Sequence, residues 1–123
     1  MLKSHIISGI AMLCLFLCQK AVAQEEGVAS FYADSFVGRK MANGHAYNPE
    51  ELTCAHPTAP LGSIMKVARI DDPNQSVIVR VVDRGPYVKG RIIDLSLRAA
   101  RELGILHVGI AEVVVGLVKS PID

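Results

Sequence analysis

The sequence predicts a mainly β protein, a closed or nearly closed barrel with one short helix. Two observations carry this. The β-branched segments "SVIVRVVD" (Ser76 to Asp83) and "EVVVGLV" (Glu112 to Val118) are apolar on both faces, whereas an open sheet with one wet face would alternate cleanly. Only "SLRAARELG" (Ser96 to Gly104) has the i, i+3, i+4 spacing of a helix, through Ala99, Ala100 and Leu103.

Taken in order, residues 1–23 read as an export signal rather than part of the fold. Lys3 precedes the nearly uncharged apolar run Ile6 to Leu17, and Ala21-Val22-Ala23 supplies the small residues that a signal peptidase requires. The run is short for a membrane span of about 20 residues, and Lys20 follows almost at once. No small residue stands directly before Cys14 or Cys18, so lipid anchoring is not expected. The expected location is the periplasm or the cell exterior, with no stable membrane insertion after cleavage.

Gln24 to Asp123 then forms one domain, large enough for a single core. Without Lys3 and Lys20 the 13 basic residues become 11 against 12 acidic ones, a charge of about −1. With no basic run, nothing points to nucleic acid. Cys54 remains alone, so no internal disulfide can form. It reads as a small buried residue, with a catalytic thiol or an intermolecular bridge as alternatives.

Gln24 to Glu26 reads as a polar leader and Gly27 to Ala33 as the first strand. Val37 to Gly62 is irregular, marked by Asn43-Gly44 and three prolines; long loops of this kind tend to be functional. Ser63 to Ile70 is a second strand, Asp71 to Gln75 a turn, and Ser76 to Asp83 the clearest strand. Ser96 can cap the helix and Gly104 suits its end. Glu112 to Val118 is the last strand, with Gly116 a candidate bulge.

Two aspartates occupy places where an apolar chain heads inward. Asp83 ends a strand whose Val77, Val79 and Val81 share its face, and Asp94 follows Ile92-Ile93. Burial favours the protonated carboxyl, which suits a general acid. Structural roles compete: Asp83 could cap its own turn or pair with Arg84 or Arg91, and Asp94 could cap the helix. His56, in the loop "CAHPTAPLG", is free to orient a substrate, shift a proton or simply sit at the surface. His45 and His107 have no neighbours that raise them above surface residues. No metal-ligand spacing, phosphate-binding Gly loop or G-x-S-x-G is present, so neither a metal nor another cofactor is expected.

Five motifs recur in register: A-S-x-Y (Ala29 to Tyr32), G-x-x-x-A-N-G (Gly38 to Gly44), A-H-x-T-x-P-x-G (Ala55 to Gly62), V-x-D-R-G-P-Y (Val81 to Tyr87) and R-I-I-D-L-S (Arg91 to Ser96). Together they resemble the rare lipoprotein A (RlpA-like) family over essentially the whole of residues 24–123. The resemblance implies a six-stranded double-psi β-barrel, akin to expansins, with one or two short helices. It implies peptidoglycan glycan strands as the partner, bound by a monomer. The implied reaction cleaves the β-1,4 bond between N-acetylmuramic acid (MurNAc) and N-acetylglucosamine without water, leaving a 1,6-anhydro end. A wall-binding or wall-loosening module of expansin type is the alternative. Carried over by motif, Asp83 is the general acid/base, His56 its essential neighbour and Asp94 a second catalytic candidate. Tyr32, Asn43, Arg84, Tyr87 and Ser96 are expected to contact the glycan. Met41, His45 and Cys54 depart from the family's usual threonine, acidic residue and alanine.

Overall fold

The computed structural model describes residues 24–122; the segment expected to be an export signal lies outside the described residues. Six strands close into a barrel in the order β1-β5-β2-β4-β3-β6. They are β1 (Gln24–Phe31), β2 (Thr53–Ala55), β3 (Ile64–Arg69), β4 (Ser76–Asp83), β5 (Arg91–Leu95) and β6 (Ala111–Lys119). A 3-10 turn (Asp34–Phe36) follows β1, and one α-helix, α1 (Leu97–Leu103), follows β5. Two pairs are parallel, β1 with β5 and β2 with β4, and the other four are antiparallel.

Inward-facing residues fill the barrel. Val79, Val81, Ile93, Leu95, Val113 and Val115 are buried, and Ala99, Ala100 and Leu103 of α1 belong to the same core. Each fully buried aliphatic side chain of this kind stabilises the fold by about 1.5–3 kcal/mol. The β4 strand alternates after all, because Ile78 and Arg80 are exposed while Val77, Val79 and Val81 point inward. Val82 breaks the alternation. It faces outward but is covered by Met41, Tyr47 and Tyr32, a second small apolar cluster. That cluster fastens the loop before β2 onto the end of β4.

Several boundaries differ from the sequence reading. Gln24 to Glu26 are not a leader: they open β1 by pairing with Gly116, Val115 and Val114 of β6. Gly116 stays in register with Gln24 and Lys66, and the irregularity in β6 falls at Val118, between the pairs Ile64–Lys119 and Met65–Leu117. The helix conforms. Ser96 Oγ accepts the Ala99 N–H, and Gly104 ends α1 in the left-handed region at φ 80°. Gly27 is required for a different reason, since a Cβ there would meet Ile92 Cγ2 at 2.6 Å. Among the described residues no helix is long and apolar enough to cross a membrane.

Cys54 is fully buried between Val81 and Leu95, its partners on β4 and β5. Burial pushes its thiol well above the ordinary value, with the Asp94 charge adding to the effect. Only the thiolate reacts with alkylating reagents. Cys54 should therefore resist iodoacetamide at pH 8 in native protein and react readily in urea. Comparable labelling in both states would contradict the packing described.

Candidate active site

The site is built where β4 ends. Beside β2 the register slips between Cys54 and Ala55, so that Ala55 lies opposite Asp83. Asp83 is half-buried, and both of its oxygens are held. Tyr32 Oη donates to Oδ2 at 2.6 Å, and the Ala42 N–H donates to Oδ1 at 2.9 Å. Tyr32 is fixed in turn, because its N–H donates to Leu95 O, and its ring lies 4.8 Å from Tyr47 and 5.5 Å from Phe36. Burial, then the Asp83 hydrogen bond and charge, raise the Tyr32 phenol far above its ordinary range. It is therefore a donor, never an acceptor-only phenolate, under ordinary conditions. Ala42 is presented by a loop whose Asn43 N–H donates to Val82 O and whose Met41 N–H donates to His45 O.

Asp83 lines two adjoining hollows. One, of about 420 Å³, runs past Phe31, Tyr32, Arg84, Pro86, Tyr87, Arg91 and Asp94. The other, of about 210 Å³, is bounded by Tyr32, Phe36, Arg39, Lys40, Met41 and Tyr47. Together they form an open groove with the carboxylate in its wall. A larger hollow of about 540 Å³ lies beyond the same loop, lined by Asn43, His45 and Glu51 among others. It shares Met41 and Tyr47 with the groove but does not reach Asp83.

Asp94 lies inside β5, so it does not cap the helix. It shares the neighbour Ala55 with Asp83, one strand to either side. Two strand spacings put the aspartate backbones about 10 Å apart. Asp94 Oδ1 is held by Arg91 Nη2 at 2.7 Å and by the Ser30 hydroxyl, and Arg91 also donates to Ser30. The expected alternatives for Asp83 are thus replaced: its partners are Tyr32 and Ala42, while Arg91 serves Asp94.

Three expected site residues, His56, Ser96 and Asn43, lie off the groove. His56 is only 2% exposed and lines neither hollow. Its Nε2 lies 2.7 Å from Glu25 Oε1, and its Nδ1 accepts the Thr58 and Ala59 N–H groups. Ser96 is fully buried and donates to Glu51 O, which leaves it out of reach of any glycan. Arg84 touches the groove wall, yet its guanidinium is committed to His56 O and Ala59 O. Asn43 is exposed and faces the larger hollow, with its Oδ1 accepting the His45 N–H. Tyr87, 81% exposed, stands on the groove rim.

Sequence reasoning missed Ser30, Phe36 and the Ala42 amide, and it offered Arg91 to Asp83 where the structure gives it to Asp94. Ser30 does fall within the A-S-x-Y motif, which could have marked it. The Ala42 contact comes from the backbone and leaves no trace in residue type.

Residues 24–115 match the family model described as lytic transglycolase. The chain belongs to this RlpA-like family. The endolytic peptidoglycan transglycosylase RlpA of Pasteurella multocida is 43% identical over 119 residues, 95% of this chain and 40% of that protein. RlpA of Campylobacter jejuni is 47% identical over 88 residues, 72% of this chain and 32% of its own. The RlpA-like chain thus spans less than half the length of these curated relatives. Among solved structures, an apo expansin from Clavibacter michiganensis superposes with TM-score 0.59 at 26% identity, covering 80% of this chain and 52% of that one. The Streptomyces papain inhibitor superposes with TM-score 0.60 at 23% identity, covering 78% and 94%. At that identity it speaks for the RlpA-like barrel alone.

Proposed function

We propose that this RlpA-like domain is an exported endolytic lytic transglycosylase of peptidoglycan, acting as a monomer in the periplasm or outside the cell. The observation that carries the reading is Asp83: one carboxyl in the wall of an open groove, oriented at both oxygens by a phenol and a backbone amide. Protonated Asp83 gives its proton to the glycosidic oxygen as the bond to MurNAc C1 breaks. The MurNAc C6 hydroxyl attacks C1, and the Asp83 carboxylate accepts the hydroxyl proton. The 1,6-anhydro ring closes, no water is consumed, and the protonated carboxyl is restored.

The second carboxylate favours this chemistry over hydrolysis. A hydrolase needs a free partner carboxyl to activate water or act as nucleophile. Asp94 has its Oδ1 committed to Arg91 and Ser30, which leaves only Oδ2 for either task. The Tyr32 phenol, kept protonated, steadies the Asp83 carboxylate each time it forms. Tyr32→Phe should lower the cleavage rate by about 10- to 100-fold, the equivalent of one hydrogen bond to a charged group, with glycan binding little changed. Unaltered turnover in that variant would remove Tyr32 from the mechanism.

The deciding experiment incubates purified protein with intact sacculi and with glycan strands stripped of stem peptides. Mass spectrometry should find soluble fragments with 1,6-anhydro ends. The similarity to an expansin favours one rival, a wall-loosening module on the same barrel; glycan binding without new ends would support it instead.

A further inference from the structure

We propose that His56 is a positioning residue rather than a proton carrier: with Glu25 and Arg84 it clamps the turn that holds the end of β4 in place. The activity readouts below rest on the transglycosylase reading; the spectroscopic one does not. Every hydrogen-bonding atom of His56 is already used within the protein. Its N–H donates to Asp83 O at 3.1 Å, and its carbonyl accepts from Arg84 Nη1 at 3.1 Å. Its Nδ1 accepts two backbone N–H groups, from Thr58 at 3.2 Å and Ala59 at 2.9 Å. An acceptor of two N–H groups carries no proton of its own, so the neutral ring is protonated at Nε2. That proton is directed at Glu25 Oε1, 2.7 Å away.

A general acid or base needs a free edge within hydrogen-bond reach of the reacting oxygen. His56 has none, and it is buried away from both hollows that Asp83 lines. What the ring does instead is close a turn. Accepting the N–H groups of residues two and three places on is the work of an Asn or Asp side chain in an Asx turn. Arg84 closes the same turn from outside by binding both His56 O and Ala59 O. Because Arg84 follows Asp83 directly and His56 N binds Asp83 O, the turn and the end of β4 are tied twice. Glu25 adds the tie to β1, the strand that leads to Tyr32. The Asp83 backbone and the strand that leads to Tyr32, whose phenol holds the carboxyl, are thus referred to one frame.

The test compares His56→Asn with His56→Ala. Asparagine keeps an acceptor for the Thr58 and Ala59 amides but has no titrating ring. His56→Asn should keep cleavage within about 10-fold of wild type, with the same pH–rate profile, while His56→Ala falls by about 100-fold, which is within the range a proton carrier would also give. Loss in His56→Asn equal to that in His56→Ala, in a variant that melts like wild type, would overturn the proposal. Glu25→Ala supplies an independent check: kcat should fall several-fold while glycan affinity holds, and unchanged kcat would count against the clamp. For the unsubstituted protein, ¹⁵N NMR should show the neutral ring protonated at Nε2, with couplings across hydrogen bonds from the Thr58 and Ala59 amides to Nδ1. A ring protonated at Nδ1 would refute the clamp whatever the enzyme does. If wild type forms no anhydro ends while these couplings are present, the proposed activity fails and the clamp stands.

Discussion

Asp83→Asn should reduce release of anhydro-ended fragments by about 10³-fold, in the middle of the 10²–10⁴ range for loss of a general acid/base. The substitution removes the transferable proton and almost nothing else. Asparagine has the same shape, and its side-chain oxygen can still accept from Tyr32 Oη. Its amide group would then face the Ala42 N–H, donor against donor, costing about 1 kcal/mol of local hydrogen bonding. The core is untouched, because Val79 and Val81 stay buried independently of the carboxyl. Circular dichroism should therefore match wild type, and sacculus binding in a pull-down should fall by no more than a few-fold. Cleavage retained in Asp83→Asn would move the chemistry to another group and sink the mechanism. Loss of binding together with cleavage would show that Asp83 grips the sugar rather than reacting with it.

How far this site could be read from the sequence depends on which physical signal each part leaves. The β4 strand and α1 were legible because a β-branched run and a capped i, i+3, i+4 face are local patterns. Two strands were not. β2 has only Thr53, Cys54 and Ala55, all buried, too short for any period to show. β5 spans Arg91 to Leu95 and runs almost directly into α1, so its short apolar run merges with the start of the helix and shows no period of its own. Asp83 was found by its place at a strand end, and the family motif raised it from suspect to candidate. The burial of His56 is hidden from the sequence for a specific reason. A histidine in a Pro-containing loop looks exposed, and nothing local announces that Glu25, 31 positions away, takes up its ring. Contacts of that kind are set by barrel closure, which single-sequence reasoning could not reach.

Asp94 poses the complementary test, because its network predicts a large effect on stability rather than on proton transfer. Its side chain is 17% exposed and that of Arg91 33%, so water screens the pair only in part. Asp94→Asn leaves the Arg91 guanidinium with no ionised partner, and Arg91→Gln leaves Asp94 with only Ser30. Each single variant should lose about 1–3 kcal/mol of unfolding free energy, the range for a charge-assisted hydrogen bond discounted for exposure. The loss is a sizeable part of the roughly 5–15 kcal/mol that holds a domain together, and urea denaturation would register it as a lower midpoint. Arg91→Gln with Asp94→Asn restores two neutral, complementary amides. The double variant should therefore be more stable than the sum of the singles implies, with a coupling of about 1 kcal/mol or more. Cleavage is the discriminating readout. If Asp94 acts only by holding β1 and β5 in register beside the groove, activity should recover with stability in the double variant. Recovery of stability without activity would instead give Asp94 a direct part in the reaction, and the single-carboxyl mechanism would have to yield to one that uses both aspartates.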